Sequence, residues 1–270
     1  LGPLLRQNVN AVLSRAEPAN VPLITFSNDI SVAAPDVFVM GHVPEQSVER
    51  TVRYAYAHGA RNFAALIPNG EYGRRAADAF TSAVARAGGK LVASESYDRG
   101  NTSIVSAAER LEAKGGFDAV LIADGARLSA MAAGALKEPG MVLPTILGTE
   151  LWSGEASIAD ASAMRGALFS AVPDARYRQF VDSYRSRFGG TPYRIATLGY
   201  DAVLLTLRVA RDWKPGDDFP AGKMLARDGF LGLDGTFRFR SDGVGERAME
   251  VRRVDNGTIS IVDEAPQKFD

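Results

Sequence analysis

Six polar or aromatic side chains follow four short, mostly apolar runs, and these positions make them the first candidates for chemistry. The runs are residues 21–26, 62–67, 118–122 and 144–147, and the side chains are Ser27, Asn28, Tyr72, Asp124, Glu150 and Trp152. A strand that helices cover on both faces is apolar throughout and keeps its polar residues for one end. Ligands bind outside the carboxyl ends of the strands in open sheets of this kind, so these six are the candidate ligand-binding residues.

The two residues after the first run are suited to hold a carboxylate. Ser27 and Asn28 offer a hydroxyl, an amide and backbone N–H groups, all of which bind carboxylate oxygens. Serine and asparagine are also favoured helix N-caps, so a structural role in the following segment is the alternative. The two roles are compatible, and both stay open at this stage.

Tyr72, Asp124, Glu150 and Trp152 offer different chemistry after the other three runs. The two carboxylates suit an ammonium group through charge-assisted hydrogen bonds, although an acid in such a position is also a common turn residue. Tyr72 precedes Gly73 at a predicted helix start, where its ring would either lie over a ligand or pack within the loop. Trp152 would either form an apolar wall for a ligand or cap the core.

Composition excludes several classes of partner and site. A net charge of −1 at pH 7, with basic residues dispersed among acidic ones, gives no overall attraction to nucleic acid or anionic lipid. The apolar stretches are interrupted well before the roughly 20 residues that span a bilayer. The absence of cysteine excludes disulfides, thiolate nucleophiles and cysteine-based metal sites. We therefore expect no nucleic-acid partner and no membrane insertion of this segment.

Enzymatic interpretations have little support in the sequence. The two histidines, His42 and His58, are far apart along the chain, and no nucleophile elbow, zinc-binding His-Glu-x-x-His or phosphate-binding Gly-x-x-x-x-Gly-Lys occurs. Residues 243–248 match a relaxed dinucleotide pattern, Gly-x-Gly-x-x-Ala. That pattern requires a helix to follow it, whereas here it lies between two predicted strands. The prediction is a non-enzyme without cofactor or metal.

The chain alternates strand-like and helix-like segments over most of its length. Helical patterns occupy residues 4–15, 46–58, 73–87, 103–114, 127–136, 176–188 and 193–213, and further strands are predicted at 37–40, near 91 and at 167–171. This rhythm predicts an α/β fold with a mostly parallel sheet. From residue 230 the pattern alternates, with turns at 241–243 and 255–257, which predicts an antiparallel tail. The number of units exceeds that of one ordinary open sheet, so we expect two lobes.

An ordered set of short motifs gives the chain a family resemblance over essentially its whole length. The set comprises Gly2-Pro3-Leu4, Val21-Pro22, Tyr72-Gly73, Asp118-Ala119-Val120, Phe188-Gly189-Gly190-Thr191-Pro192, Tyr200-Asp201-Ala202-Val203 and residues 230–239. In these the chain resembles the type I periplasmic solute-binding proteins of the leucine/isoleucine/valine-binding group. Within that group it is most similar to the penicillin-binding protein activators. No single motif is specific, and the resemblance rests on their order.

The resemblance implies two α/β lobes, each a mostly parallel sheet flanked by helices, joined by three crossovers near residues 40–41, 171–172 and 235–240. The first lobe would comprise residues 1–40 and 173–236, and the second residues 41–172 and 237–270. Family members begin with a strand, a helix and a strand before the Gly-Pro-Leu element. The chain is therefore expected to be a fragment of a longer precursor, whose first lobe lacks these strands here.

The implied function is capture of a small polar ligand, such as an amino acid or a derivative, in a hinged cleft lined by the six candidate residues. The partners would be this ligand and a membrane permease of an ABC transporter. The alternative is a lipoprotein regulator that contacts a cell-wall synthase, as penicillin-binding protein activators do. The expected location is the periplasm, with a lipid anchor in the full-length precursor.

Overall fold

Three of the four apolar runs form strands of a seven-stranded sheet in the computed structural model, and the run at residues 21–26 contains a strand of a separate two-stranded sheet. The structure describes residues 1–100, 102–136, 144–214 and 216–269. Within these residues the strands are β1 (Leu23–Thr25), β2 (Val37–Val39), β3 (Asn62–Pro68), β4 (Lys90–Tyr97), β5 (Ala119–Ile122), β6 (Thr145–Leu147), β7 (Leu168–Ala171), β8 (Phe230–Gly232), β9 (Gly235–Phe239), β10 (Gly245–Arg247), β11 (Glu250–Val254) and β12 (Ile259–Asp263). The α/β fold predicted from the sequence is confirmed.

Helices follow most of the parallel strands. The α-helices in the described ranges are α1 (Val9–Ala16), α2 (Pro44–Ala57), α3 (Glu71–Ala87), α4 (Ser103–Lys114), α5 (Ala126–Ala135), α6 (Ala175–Phe188) and α7 (Ala196–Val209). Short 3-10 helices lie at Arg6–Asn8, Glu17–Ala19, Ile30–Val32, Glu150–Trp152, Ala156–Asp160, Ser162–Met164, Ala210–Asp212 and Ala221–Leu225. The helix predicted over residues 193–213 is thus shorter, because it begins at Ala196 and ends in a 3-10 turn.

The described residues fall into two compact units. Unit 1 comprises Leu1–Val43, Val172–Ala248 and the C-terminal residues from Ala265, and unit 2 comprises Pro44–Ala171 and Met249–Glu264. These bounds differ from the predicted lobes chiefly after residue 236. The segment up to Ala248 stays with unit 1 because β10 pairs with β9 in an antiparallel sheet of that unit. The chain also returns to unit 1 after Glu264.

The seven-stranded sheet lies in unit 2 with the order β12-β11-β7-β6-β5-β3-β4. Strands β3 to β7 pair in parallel, and β11 and β12 extend the sheet antiparallel. On one face Phe63, Ala65 and Leu121 pack against α2 and α3, and on the other Leu66 and Val120 pack against α4 and α5. Burial on both faces explains why β3 and β5 are apolar almost throughout.

Unit 1 contains two small sheets. Strands β1 and β2 pair in parallel, and β8, β9 and β10 form an antiparallel sheet in the order β10-β9-β8. One face of α7 packs on this part of the chain through Leu198, Ala202 and Leu205. The alternating segment at residues 230–239 is therefore a hairpin of two strands, and residues 243–248, which match the dinucleotide pattern, contain β10 and no helix.

A buried ionic cluster ties together separate segments of unit 1. The fully buried carboxylate of Asp234, in the turn between β8 and β9, accepts hydrogen bonds from His42 at 2.8 Å, from Thr197 at 2.8 Å and from Arg194. Burial raises the pKa of Asp234, but the hydrogen bond from His42 and the nearby positive charges outweigh it and hold this pKa below its usual range. Burial also lowers the pKa of His42, so Arg194 and Arg247 supply the positive charge at neutral pH.

The turn from β3 into α3 is fixed by a close approach at Gly73. A Cβ atom at this position would lie 1.8 Å from the carbonyl oxygen of Pro68. Gly73→Ala should therefore lower the free energy of unfolding by about 1–3 kcal/mol, because backbone must move to admit the methyl group. Gly134→Ala is the matched control, since Gly134 lies inside α5 with open space around it and alanine favours helix by about 1 kcal/mol. Urea unfolding of both variants measures the difference, and equal effects would contradict this account.

Asp234→Asn should lower the free energy of unfolding of the protein by about 3–5 kcal/mol at pH 7, because it leaves buried cations without their partner. A carboxyl whose pKa is lower in the folded protein than in the unfolded chain stabilises the folded state at pH values above its unfolded pKa. This stabilisation is lost as the pH falls through the pKa of the folded state. The difference in the free energy of unfolding between the parent protein and Asp234→Asn should therefore decrease below about pH 4. Asp242→Asn is the control, because the Asp242–Arg240 pair is about half exposed and such pairs contribute about 0–1 kcal/mol.

Candidate functional site

Asp124, at the carboxyl end of β5, is the centre of a hydrogen-bond cluster in unit 2. Its Oδ2 accepts from the hydroxyl of Tyr97 at 2.8 Å and from Nε of Arg99 at 2.9 Å, and its Oδ1 accepts from the N–H of Gly125 at 2.8 Å. Its backbone carbonyl accepts from Nε1 of Trp152 at 2.9 Å. Both carboxylate oxygens are thus bonded within the protein.

Tyr72 and Glu150 form a second cluster at the ends of β3 and β6. The Tyr72 hydroxyl donates to Oε1 of Glu150 at 3.0 Å and lies 2.9 Å from the hydroxyl of Thr149. A tyrosine has one hydroxyl proton, so when that proton is on the bond to Glu150 the threonine is the donor to Tyr72. Thr149 also caps the 3-10 helix Glu150–Trp152 by accepting from the N–H of Leu151 at 3.4 Å.

Arg99 joins the two clusters into one site. Its guanidinium carbon lies 5.4 Å from the centroid of the Tyr72 ring, within the range of a cation–π contact, while its Nε is held by Asp124. The side chain of Arg99 is 42% exposed. Arg99 is therefore a partly exposed cation that lies beside an aromatic ring and an acid.

Burial changes the protonation of the site. It raises the pKa of Glu150 to about 7, since the carboxyl is only 9% exposed and its bond from Tyr72 offsets only part of the cost. Burial also raises the pKa of Tyr72 and of Tyr97, and the neighbouring acids raise both further. Oε2 of Glu150 has no hydrogen-bond partner within the described ranges. Glu150 is thus about half protonated near neutral pH.

A depression of about 300 Å³ adjoins Asp124 within unit 2. It is lined by Asp124, Gly125, Ala126, Arg127, Leu128, Leu151 and Glu155. This volume lies at the lower end of the range for small-molecule sites. Its lining combines aliphatic side chains with charged groups, which is the composition that a small organic solute requires.

The structure brings together three of the six predicted residues, namely Tyr72, Asp124 and Glu150. Trp152 is the exception in this unit. It is fully buried, and its ring packs on Phe169 at 5.5 Å, so it belongs to the core and offers no surface to a ligand. The core-capping alternative for Trp152 is the one that the structure supports, because its indole N–H is already bonded to Asp124.

Ser27 and Asn28 lie in unit 1, and their part in a common cleft with the other residues stays a prediction. Ser27 is buried, and its hydroxyl accepts from the N–H of Asp29 at 3.1 Å. The cap of the following 3-10 helix is Asp29, whose side chain accepts from the N–H of Ser31 at 2.9 Å. Ser27 therefore bonds to the residue that caps this 3-10 helix, two positions after it, and is not the cap itself.

Sequence reasoning missed Tyr97, Arg99 and Thr149. Tyr97 is the last residue of β4, an edge strand whose side chains alternate between exposed and buried, so this strand lacks the continuous apolar run that marked the others. Arg99 lies two residues beyond it. The available signal is position, because Tyr97 ends β4 and Arg99 follows it. Both therefore lie at the carboxyl end of a strand of the parallel sheet, where ligands bind.

Other site types find no support in the part of the chain that is described. It contains no group of three or more His, Asp or Glu side chains placed to hold a metal ion. None of its helices has the length and the apolar character that crossing a membrane requires.

Comparisons with known proteins agree with the fold. A sequence profile of the family described as periplasmic binding protein matches residues 2–258. A branched chain amino acid ABC transporter periplasmic ligand-binding protein from Burkholderia xenovorans LB400 has a similar structure, with a TM-score of 0.80, 15% identity and coverage of 97% of this chain and 75% of the other. A solute binding protein of an ABC transporter from Rhodopseudomonas palustris BisB5, in complex with 3,4-dihydroxy benzoic acid, gives a TM-score of 0.72 at 19% identity, covering 100% and 77%.

Among curated proteins, an uncharacterized protein of Rickettsia prowazekii (strain Madrid E) is 26% identical over 111 residues. This match covers 41% of the chain and only 30% of the relative. The structural neighbours are under 25% identical, so they show the fold. The more specific resemblance to penicillin-binding protein activators stays a prediction.

The pKa of Glu150 predicts a pH-dependent stability. The folded protein keeps this proton up to about pH 7, whereas the unfolded chain releases it near the usual value of 4.5, so the contribution of Glu150 to stability is lost as the pH rises between these values. Glu150→Gln cannot titrate, and its free energy of unfolding should rise relative to the parent by about 3 kcal/mol from pH 4.5 to 8. Chemical unfolding across this range measures the difference. Glu109→Gln is the control, because it removes an exposed carboxyl. If the free energy of unfolding of Glu150→Gln differs from that of the parent by the same amount at every pH, the raised pKa of Glu150 is contradicted.

Proposed function

Because the chain belongs to the periplasmic binding protein family, we propose that it captures a small polar organic solute for an ABC transporter. The solute would bind at the carboxyl ends of β3 to β6 in unit 2. An amino acid or a related organic acid is the class that the side chains suit. The role is that of a binding protein without catalytic activity, in keeping with the family.

The observation that carries this proposal is the convergence of Tyr72, Arg99, Asp124, Thr149 and Glu150 in one site. These side chains come from four different segments and offer hydroxyl, carboxyl and guanidinium groups beside an aromatic ring. A solute of ten or so heavy atoms needs a small number of such groups, placed by rigid elements, for its orientation to be fixed.

Two structural neighbours support a solute of this class. The Burkholderia protein is described as a binding protein for branched chain amino acids, and the Rhodopseudomonas protein holds 3,4-dihydroxy benzoic acid. Both kinds of molecule carry a carboxylate on an apolar body. The proposed location is the periplasm, as for the family, and the lipid anchor stays a prediction.

The alternative of a lipoprotein regulator that contacts a cell-wall synthase also stays a prediction from the resemblance. It differs from solute capture in what a titration should show. A regulator that uses this fold only for protein contact would bind no solute at the site, whereas a transport protein binds one saturably.

Isothermal titration of the protein with a panel of amino acids and small aliphatic and aromatic carboxylates tests the proposal. At least one should bind saturably, and Tyr72→Phe should weaken it by about 5- to 30-fold, because the lost hydroxyl leaves Glu150 without its donor. Tyr54→Phe is the control, since Tyr54 lies on α2 and stacks on His58. Silence across the panel, or an unchanged affinity of Tyr72→Phe, would contradict the proposal.

A further inference from the structure

We propose that the solute is a carboxylate that the guanidinium of Arg99 binds, and that the site requires no ammonium group on it. This inference rests on the proposed function and narrows it. It departs from the expectation that Asp124 and Glu150 hold an ammonium group. Three features of unit 2 carry it, and each concerns which charges remain for a ligand.

The first feature is that Asp124 is occupied by the protein. Its two oxygens accept from Tyr97, Arg99 and Gly125, all at 2.8–2.9 Å. The neighbouring cation already neutralises its charge, and the carboxylate is only 9% exposed. An ammonium group would therefore share Asp124 with Arg99, whose charge already pairs with it, and would use the one acceptor position of Oδ1 that these bonds leave.

The second feature is that Glu150 offers only part of a negative charge. It is 9% exposed, its Oε1 is bonded to Tyr72, and its pKa of about 7 leaves it about half protonated at neutral pH. An ammonium group gains most from a fully charged partner. The unbonded Oε2 of Glu150 is also buried, so an ammonium group would have to enter the protein to reach that oxygen.

The third feature is the state of Arg99. Its Nε is bonded to Asp124, while its two Nη atoms make no hydrogen bond within the described ranges of the chain. The end-on fork formed by these two nitrogens is the geometry that binds a carboxylate in a bidentate way. Asp124 and the Tyr72 ring hold the guanidinium from two sides, so little side-chain freedom remains to be lost on binding.

These features give Arg99 the position of a cation between two carboxylates, one from the protein and one from the solute. Asp124 orients the guanidinium through Nε, which leaves both Nη atoms for a second carboxylate. The depression adjoins Asp124, and its lining includes Leu128 and Leu151, which suit an apolar body on the solute, as well as Arg127 and Glu155. The recognised class is therefore an organic monocarboxylate with an aliphatic or aromatic body.

Matched ligand pairs test the inference on the unaltered protein by isothermal titration. The pairs are leucine with 4-methylpentanoate, phenylalanine with 3-phenylpropanoate, and benzoate with benzamide. Removal of the ammonium group should change the affinity by less than about threefold, whereas replacement of the carboxylate by an amide should weaken binding by at least about tenfold.

Variants of Arg99 test the residue itself. Arg99→Gln should weaken the carboxylates by about 10- to 100-fold, and Arg99→Lys should recover part of the loss, since lysine keeps the charge without the fork. Arg110→Gln is the matched control, because Arg110 is also partly exposed and is likewise paired through its Nε, to Glu95 of β4 at 2.8 Å. Thermal melts confirm that each variant is folded.

The outcomes separate this inference from the proposed function. If the amino acids bind and their deaminated partners do not, or if Arg99→Gln binds carboxylates as tightly as the parent, the inference is overturned while solute capture stands. If no member of any pair binds, both are overturned. The inference is supported if Arg99→Gln loses affinity for carboxylates while Arg110→Gln does not, and if the parent protein still binds the deaminated acids.

Discussion

The hydrogen bonds of Asp124 are the interaction on which the candidate site depends. Through its carboxylate this residue fixes the end of β4 and the loop after it, by way of Tyr97 and Arg99. Through its backbone carbonyl it fixes the indole of Trp152 and, at 3.1 Å, the hydroxyl of Ser129 on α5. Trp152 in turn sets the 3-10 helix that carries Glu150. One buried acid thus positions both the cation and the second acid, and its removal would leave several donors unpaired at once.

The sheet supplies the reason that these groups meet. Strands β6, β5, β3 and β4 are neighbours in that order and all run parallel, so their carboxyl ends lie along one edge. Helices on both faces make the inner strands β3, β5 and β6 mostly apolar, and their polar side chains lie mainly where the strands end. The same sheet topology therefore explains both the apolar strands and the polar cluster at their ends.

This relation also decides what the sequence could reveal. The helix predicted over residues 103–114 coincides with α4. The apolar runs alone were enough to predict the strand ends that carry Tyr72, Asp124 and Glu150. Arg99 was missed because the edge strand before it alternates between exposed and buried residues and so lacks an apolar run. The hairpin of β8 and β9 was missed because its turn is held by Asp234, whose hydrogen-bond partners are distant in sequence. Trp152 lies two residues from Glu150, and only packing across the sheet determines that its ring enters the core. Local pattern predicts elements, whereas contacts between distant segments decide which side chains reach a ligand.

The state of Glu150 is one that the stability of the fold does not explain. This carboxyl is buried with one oxygen unbonded in the described residues and with a raised pKa, both of which oppose folding. A glutamine would accept the same bond from Tyr72 without the cost of burying a charge, so stability alone does not require an acid here. Buried groups whose protonation is shifted toward neutral pH concentrate where proteins bind or transform ligands. Glu150 bonds to the tyrosine whose ring contacts Arg99, and a local departure from the rules of a stable core is expected where a fold serves recognition.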